Sequence, residues 1–184
     1  MLGESVNAKD SSGVAVAKSA GADEVIKISG SYVVQCLGAD GKLKWEDTIK
    51  NLVVTVGKND LLDKYFAGSA YTAAWYMGLV DGATTPTYAA ADTLASHAGW
   101  TESTAYSGTN RITVAWNAAS AGSKASTSTS FSINATATIA GALLTVTQAR
   151  ATTTGVLYSA GNFTGGSRAV ISGDTLLVTY TASV

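Results

Sequence analysis

Hydrophobic positions along this chain recur mostly every second residue, the period of a strand with one face buried. The last stretch shows it best: Leu176, Val178 and Tyr180 point one way, and Leu177, Thr179 and Thr181 the other. Phe131, Ile133, Ala135, Ala137 and Ile139 alternate with Ser132, Asn134, Thr136 and Thr138, predicting one strand over 131–139. Ile112, Val114 and Trp116 alternate with polar or small neighbours. Leu144 and Val146 continue the pattern, and Thr72 to Val80 and Val156-Leu157-Tyr158 are further apolar runs. Near the start, Tyr32 to Leu37 precedes Asp40-Gly41, a tight-turn dipeptide because Gly accepts a positive φ. Leu43, Trp45 and Ile49 then alternate with Lys42, Lys44, Glu46 and Thr48, which predicts a β-hairpin over 31–49.

Two stretches break the period of two. Val53-Val54-Thr55-Val56 favours a strand by propensity, yet Ile49, Leu52, Val53 and Val56 follow helical spacing. Asn59 to Phe66 ends at Gly68 as a helix meets its cap, so a helix is predicted over at least 59–66. Ala89 to His97 predicts a short helical turn. Gly- and Ser-rich turns fall at 120–123, 161–166 and 172–174, the middle one reading as a flexible strand connection. Seven or eight short strands with regular turns predict a mainly β fold. The expected form is an antiparallel sandwich or jelly roll with one or two short helices. Residues 1–30 contain no aromatic residue and read as an extended arm that cannot form a core of its own.

Composition changes this picture in one respect. The apolar share, 46%, suits a globular core, but the charged share is only 14%, against about a quarter in ordinary domains. Ser, Thr, Ala and Gly make the surface instead. Residues 1–102 carry 8 basic and 12 acidic groups. Residues 103–184 carry only Arg111, Lys124, Arg150 and Arg168 against Asp174. A half so poor in charge is expected to meet a partner surface. The overall net charge of −1 argues against nucleic acid as that partner, because phosphate binding needs many cations. No apolar run approaches the length of a membrane span, and no leader-like segment opens the chain, so no membrane partner is expected.

The residues offer little chemistry. Cys36, the single cysteine, lies in an apolar run and reads as a small buried hydrophobe. With no disulfide framework, synthesis in a reducing cytoplasm is expected. His97 is the single histidine, in Ser96-His97-Ala98-Gly99-Trp100, and reads as a loop residue that packs or hydrogen-bonds. One His and one Cys cannot supply a typical zinc ligand set. Asp81 and Glu102 are the acids whose approach would allow paired-carboxylate chemistry; the others sit in polar clusters such as Glu46-Asp47 and Asp60/Asp63. Gly161-Asn162-Phe163-Thr164-Gly165-Gly166 lacks the Lys of a phosphate loop. Asn134-Ala135-Thr136 and Asn162-Phe163-Thr164 match the glycosylation sequon formally and read as chance. Trp75, Trp100 and Trp116 are candidates for a sugar-binding face, but strand periodicity places Trp75 and Trp116 in the core. No enzymatic activity and no cofactor are expected.

Several strings are more specific. Asn51-Leu52-Val53-Val54, Leu61-Leu62-Asp63 and Trp75-Tyr76-Met77-Gly78-Leu79-Val80-Asp81 resemble a family of virion structural proteins of tailed bacteriophages. Ala91-Asp92-Thr93-Leu94, Ser96-His97-Ala98-Gly99-Trp100-Thr101-Glu102 and Tyr106 continue the resemblance. Thr153-Thr154-Gly155-Val156-Leu157-Tyr158 and Gly173-Asp174-Thr175-Leu176-Leu177-Val178-Thr179-Tyr180-Thr181 extend it to residues 51–184. The likeness is to capsid decoration, or cement, proteins. It implies a sandwich on the outer surface of the virion that binds the major capsid protein and itself as a homo-oligomer, with a trimer favoured. Residues 1–50 would then be the anchoring arm and hairpin, and 51–184 the decoration domain. The expected contact residues are Val14, Val16, Val25 and Lys27 in the arm, Tyr32 in the first strand of the hairpin, and Trp45 in its second. A tail- or fibre-associated adhesin that binds host glycan is the alternative expectation, and a cell-wall hydrolase using His97 a remoter one.

Overall fold

A computed structural model describes residues 27–66, 68 and 74–184. In chain order these form β1 (Ser29–Leu37), β2 (Leu43–Lys50), β3 (Leu52–Val53), α1 (Thr55–Phe66), β4 (Trp75–Asp81), β5 (Glu102–Ser103) and β6 (Ile112–Val114). There follow β7 (Ser123–Ala125), β8 (Thr129–Ser132), β9 (Ala137–Thr145), β10 (Leu157–Asn162), β11 (Arg168–Val170) and β12 (Thr175–Ser183). The strands make two antiparallel sheets. One runs β2-β1-β12, with β7 and β8 pairing successive stretches of the far side of β12. The other runs β3-β10-β9-β4-β5, with β11 on β9 and β6 on β4.

The expected sandwich is present, with more and shorter strands than the periodicity predicts. The predicted hairpin forms around Gly41, whose φ is +76°. Gly38 N–H donates to Lys42 carbonyl at 2.8 Å. The hairpin assigned to the anchoring arm is zipped to the C-terminal strand: β1 pairs with β12 through all nine residues, from Ser29↔Ser183 to Leu37↔Thr175. Helix α1 begins at Thr55, four residues before the predicted core of the helix, and ends before Gly68 at φ +67°. Gly57 is its buried residue. A Cβ there would lie 2.6 Å from the Tyr158 carbonyl oxygen, so the helix rests on β10 backbone to backbone.

One predicted element divides in two. The strand read over 131–139 breaks at Asn134–Thr136, and β8 and β9 lie in different sheets. The neighbouring chain turns at the same place, because β11 pairs with β9 while β12 pairs with β8. The two corners are tied together by Gly173 N–H to Ile133 carbonyl at 2.9 Å and Ile133 N–H to Asp174 carbonyl at 2.8 Å. Ala135 is exposed rather than inward. Small residues carry the alternation through the corner without marking it.

Two further expectations are corrected. Ala89 to His97 is a series of turns rather than a helical turn. The Asp92 carboxylate accepts from the Ala89 N–H at 3.1 Å and the Trp100 indole N–H at 3.0 Å, holding the chain in a looped path. In the 161–166 segment, Gly161 and Asn162 belong to β10 and Phe163 is buried, so only 164–166 forms the turn.

The core lies between the sheets. Tyr32, Val34, Leu176, Val178 and Tyr180 from the first sheet meet Met77, Leu79, Ile139, Leu144 and Tyr158 from the second. A separate apolar cluster covers the back of the second sheet: Val80, Ala140, Leu143, Leu157 and Ala160 pack under Val54, Leu94 and Trp100. The second sheet is therefore buried on both faces, whereas the first has one face open to solvent. We call them the covered and open sheets.

Candidate functional site

Strand register fixes what the open sheet shows to solvent. Ser31, Val33, Gln35 and Leu37 of β1 lie opposite Thr181, Thr179, Leu177 and Thr175 of β12. Ser130 and Ser132 of β8 extend the last two rows. Val33 is 41% exposed at the middle of this face. No charged residue occurs among these ten positions. Charge begins at β2, the edge strand, where Glu46 lies opposite Gln35 and accepts its amide N–H at 2.6 Å. β-branched and hydroxyl side chains suit such a half-wet strand surface.

The few charges of the C-terminal half are engaged elsewhere. Arg168 donates to Asp47 Oδ2 at 2.7 Å through Nη2 and 3.1 Å through Nε. Arg111 grips Glu102 bidentately, at 2.9 and 2.8 Å, and donates to the Thr147 and Ala149 carbonyls. Arg150 lies over the Tyr106 ring at 3.9 Å and bonds the Tyr106 and Gly108 carbonyls. Lys124 donates to the Asn117 carbonyl at 2.8 Å. Asp174 accepts from Lys44 at 2.7 Å and from the Ile171 N–H at 3.0 Å. All five charges in that half thus have a structural partner.

Asp47 and Asp174 are almost fully buried. Burial pushes both carboxyls upward, but their bonds outweigh it and hold each below the ordinary carboxylate value. For Asp47 the donors are Arg168 and the Gly165 and Thr48 amides; for Asp174 they are Lys44, the Ile171 amide and the Cys36 thiol. Cys36 has no solvent exposure, as its apolar run predicts. Burial, then the Asp174 charge, push its thiol up to about 11, so it carries little thiolate at neutral pH.

The residues singled out for chemistry are placed as follows. His97 stacks on Trp100 with ring centroids 4.1 Å apart, and its Nδ1 is 2.9 Å from the Thr93 carbonyl oxygen. A proton on Nδ1 makes that contact a hydrogen bond. The expected packing and hydrogen-bonding role is what the loop shows. The pairing of β4 with β5 sets Glu102 opposite Val80, next to Asp81, but each carboxylate bonds elsewhere. Glu102 is clamped by Arg111, and Asp81 Oδ1 accepts from the Ala83 N–H at 2.8 Å. Among the described residues, no group of three or more His, Cys, Asp or Glu could hold a metal. No described helix is long and apolar enough to cross a membrane.

The expected contact residues scatter. Val14, Val16 and Val25 lie outside the described residues. Lys27 is exposed just before β1. Tyr32 faces the core with no exposed surface, its hydroxyl 2.9 Å from Ser159 Oγ and its ring 4.6 Å from Tyr180. As an inward position of β1, it is not presented at the surface of the isolated chain. Trp45 is half-buried, edge-on to Phe163 at 5.5 Å and beneath Arg168.

Trp75 and Trp116 pack against the core as predicted, but both remain half-buried. They meet edge to face at 6.4 Å in a cleft of about 500 Å³ at one end of the sandwich. Tyr158 and Tyr180 form its floor, and Asp60, Leu61, Lys64 and Tyr65 of α1 one wall. Trp100, grouped with them by composition, is buried under the loop on the other side of the covered sheet.

Comparison with known protein families, with curated proteins and with solved structures finds no match for this chain.

Proposed function

We propose that this chain is a non-enzymatic decoration protein of a tailed-phage head, which binds the assembled coat shell and stabilises it by bridging neighbouring capsomers. The observation that carries the reading is the solvent face of the open sheet. Its positions on β1, β12 and β8 carry no charge, the charges of the C-terminal half are drawn into internal bonds, and exposed charge at its border is confined to Glu46 and Lys50 of the edge strand β2. Covering those three strands strips water from no ion, which is the costly part of forming many interfaces. The resemblance of residues 51–184 to virion structural proteins supports the same reading. The individual contacts need not be strong. A symmetric oligomer, a trimer in this proposal, engages several coat subunits at once, and its modest contacts multiply. Residues 1–26, with Val14, Val16 and Val25, would add a second contact to the same partner.

The test is co-sedimentation of the purified chain with shells assembled without it. Saturable binding at a copy number commensurate with the capsid lattice is expected. Val33→Asp places a charge at the centre of the open face without entering the core. It should weaken binding about tenfold or more, the cost of burying one unpaired charge at about 1.4 kcal/mol or above, with an unchanged circular dichroism spectrum. Shells that bind the wild type and Val33→Asp equally would remove the open face from the proposal. Absence of binding to any shell, with labelled protein located at the tail tip of intact particles, would replace it with the adhesin reading.

A further inference from the structure

The cleft at the end of the sandwich has no part in the docking proposed above, and its chemistry points to a different kind of ligand. We infer that it is a binding site for a neutral pyranose ring, such as one unit of a cell-surface glycan. Four observations define the occupant. First, the walls are aromatic. Trp75 and Trp116 are half-buried, and Tyr65 at the rim is 80% exposed. Ring faces carry negative charge density and attract the slightly positive C–H groups that line one face of a sugar ring.

Second, the charged groups, Asp60 against Lys64 and Lys124, are each engaged within the protein. Lys64 Nζ is 2.7 Å from both Asp60 carboxylate oxygens. Lys124, across the cleft, donates to a carbonyl. The lining is left with a net of one positive charge, on a lysine already bonded to a carbonyl, which is too little to call for a strongly charged ligand. Third, the Asp60–Lys64 pair sits on the same side as Tyr65, with side chains 16% and 19% exposed. Asp60 keeps carboxylate lone pairs beyond the two that Lys64 takes, and the exposed Tyr65 brings a hydroxyl donor to the same cleft. Two neighbouring sugar hydroxyls satisfy both, whereas a wholly apolar ligand would strip water from the pair and return nothing. Fourth, the volume of about 500 Å³ is within the range of small-ligand clefts. It accommodates a ring or two.

The test is titration of the full chain, followed by tryptophan fluorescence and by calorimetry. The probes are methyl β-D-glucopyranoside, methyl β-D-galactopyranoside and N-acetyl-D-glucosamine, with N-acetyl-leucine amide as an apolar comparison. Saturable binding of at least one sugar in the millimolar range is expected. It should weaken tenfold or more in Trp75→Ala and at least threefold in Tyr65→Ala and Asp60→Asn, and stay unchanged in Trp45→Phe. Trp75 also packs against the core, so the exposed Tyr65 and Asp60 variants decide the matter if Trp75→Ala does not fold. No saturable response to any of the three sugars overturns the inference. So does a sugar response that survives in both α1 variants, or binding of the leucine amide that no sugar displaces. Tyr65→Ala should still co-sediment with shells as the wild type does, so the failure of this inference is distinguishable from failure of the docking proposal.

Discussion

The open and covered sheets are built from the same kinds of residue and differ in what lies on their second face. In β12, Leu176, Val178 and Tyr180 are fully buried, while Leu177, Thr179 and Thr181 between them are partly exposed. In β9, every residue from Ile139 to Thr145 is buried. The open sheet has a surface to offer; the covered sheet has given both of its surfaces to the fold. A binding role on this scaffold therefore falls to the open face or to the edges and ends, and loss of stability should concentrate in the covered sheet.

The largest expected effect follows directly. Leu143 has no exposed area, and it points away from the inter-sheet core into the cluster under Val54, Leu94 and Trp100. Leu143→Ala should cost about 2–5 kcal/mol, the range for cavities in cores that cannot collapse. Urea denaturation followed by circular dichroism reads this as a lower midpoint at unchanged slope. A cost below about 1 kcal/mol would mean that the loop and α1 cover the sheet only loosely.

The same contrast explains how much of the fold was legible in the sequence. A one-sided strand writes itself as alternation, so β1, β2 and β12 were readable and the hairpin at Asp40-Gly41 fell where expected. A two-sided strand writes a continuous apolar run. Ala140-Gly141-Ala142-Leu143-Leu144 has no period, and only its end, Leu144, joins the alternation. The corner at Asn134–Thr136 was hidden because Ala135 and Ala137 preserve the period while the chain changes sheets. Side-chain bonds that close loops are equally silent: nothing local shows that Asp92 will take the Trp100 indole N–H. The cleft was half legible. Trp75 and Trp116 stand out as aromatic candidates, but the strand pattern assigns them to the core. Its other wall comes from α1, which the sequence could not place against β10 without knowing that Gly57 allows backbone contact with Tyr158. The ion pairs had one visible signal. In a half with five charges, each charge that remains has a structural reason, but Arg168 and Asp47 are 121 residues apart.

Acid should act at an intermediate level, at the border of the open sheet. Asp47 and Asp174 both have carboxyls held below their ordinary value in the fold. A lowered folded value means that the stabilisation is fully present above the unfolded value, about pH 3.9 for Asp. It is lost as pH falls through the lower, folded values. Stability should therefore be flat in this respect from pH 7 to about 5 and decline below about pH 4. Asp174→Asn removes the buried charge that accepts from Lys44, the Ile171 amide and the Cys36 thiol, and should cost about 1–3 kcal/mol at pH 7. It should also flatten part of the acid decline, since one of the two protonating groups is gone. Denaturation midpoints of both proteins at pH 7, 5 and 3 check this. An undiminished acid slope in Asp174→Asn would assign the decline to other carboxylates.

The smallest effect is the most informative about function. Val33 lies in the same strand as the fully buried Val34, faces the other way, and is 41% exposed between Thr48 and Thr179. Val33→Thr keeps the β-branch that strand geometry favours and changes only what the face shows to solvent. Its effect on stability should fall within about 0.5 kcal/mol, as for surface positions with no special bond. Val34→Thr, one residue along, buries a hydroxyl in the core and should cost clearly more. A neutral Val33→Thr would establish that the fold makes no demand on this side chain, and that its exposure on an uncharged face is free to serve a partner. A cost equal to that at Val34 would mean that the open face is itself packed, and the docking surface would then have to lie at the edge strand β2 or at the cleft.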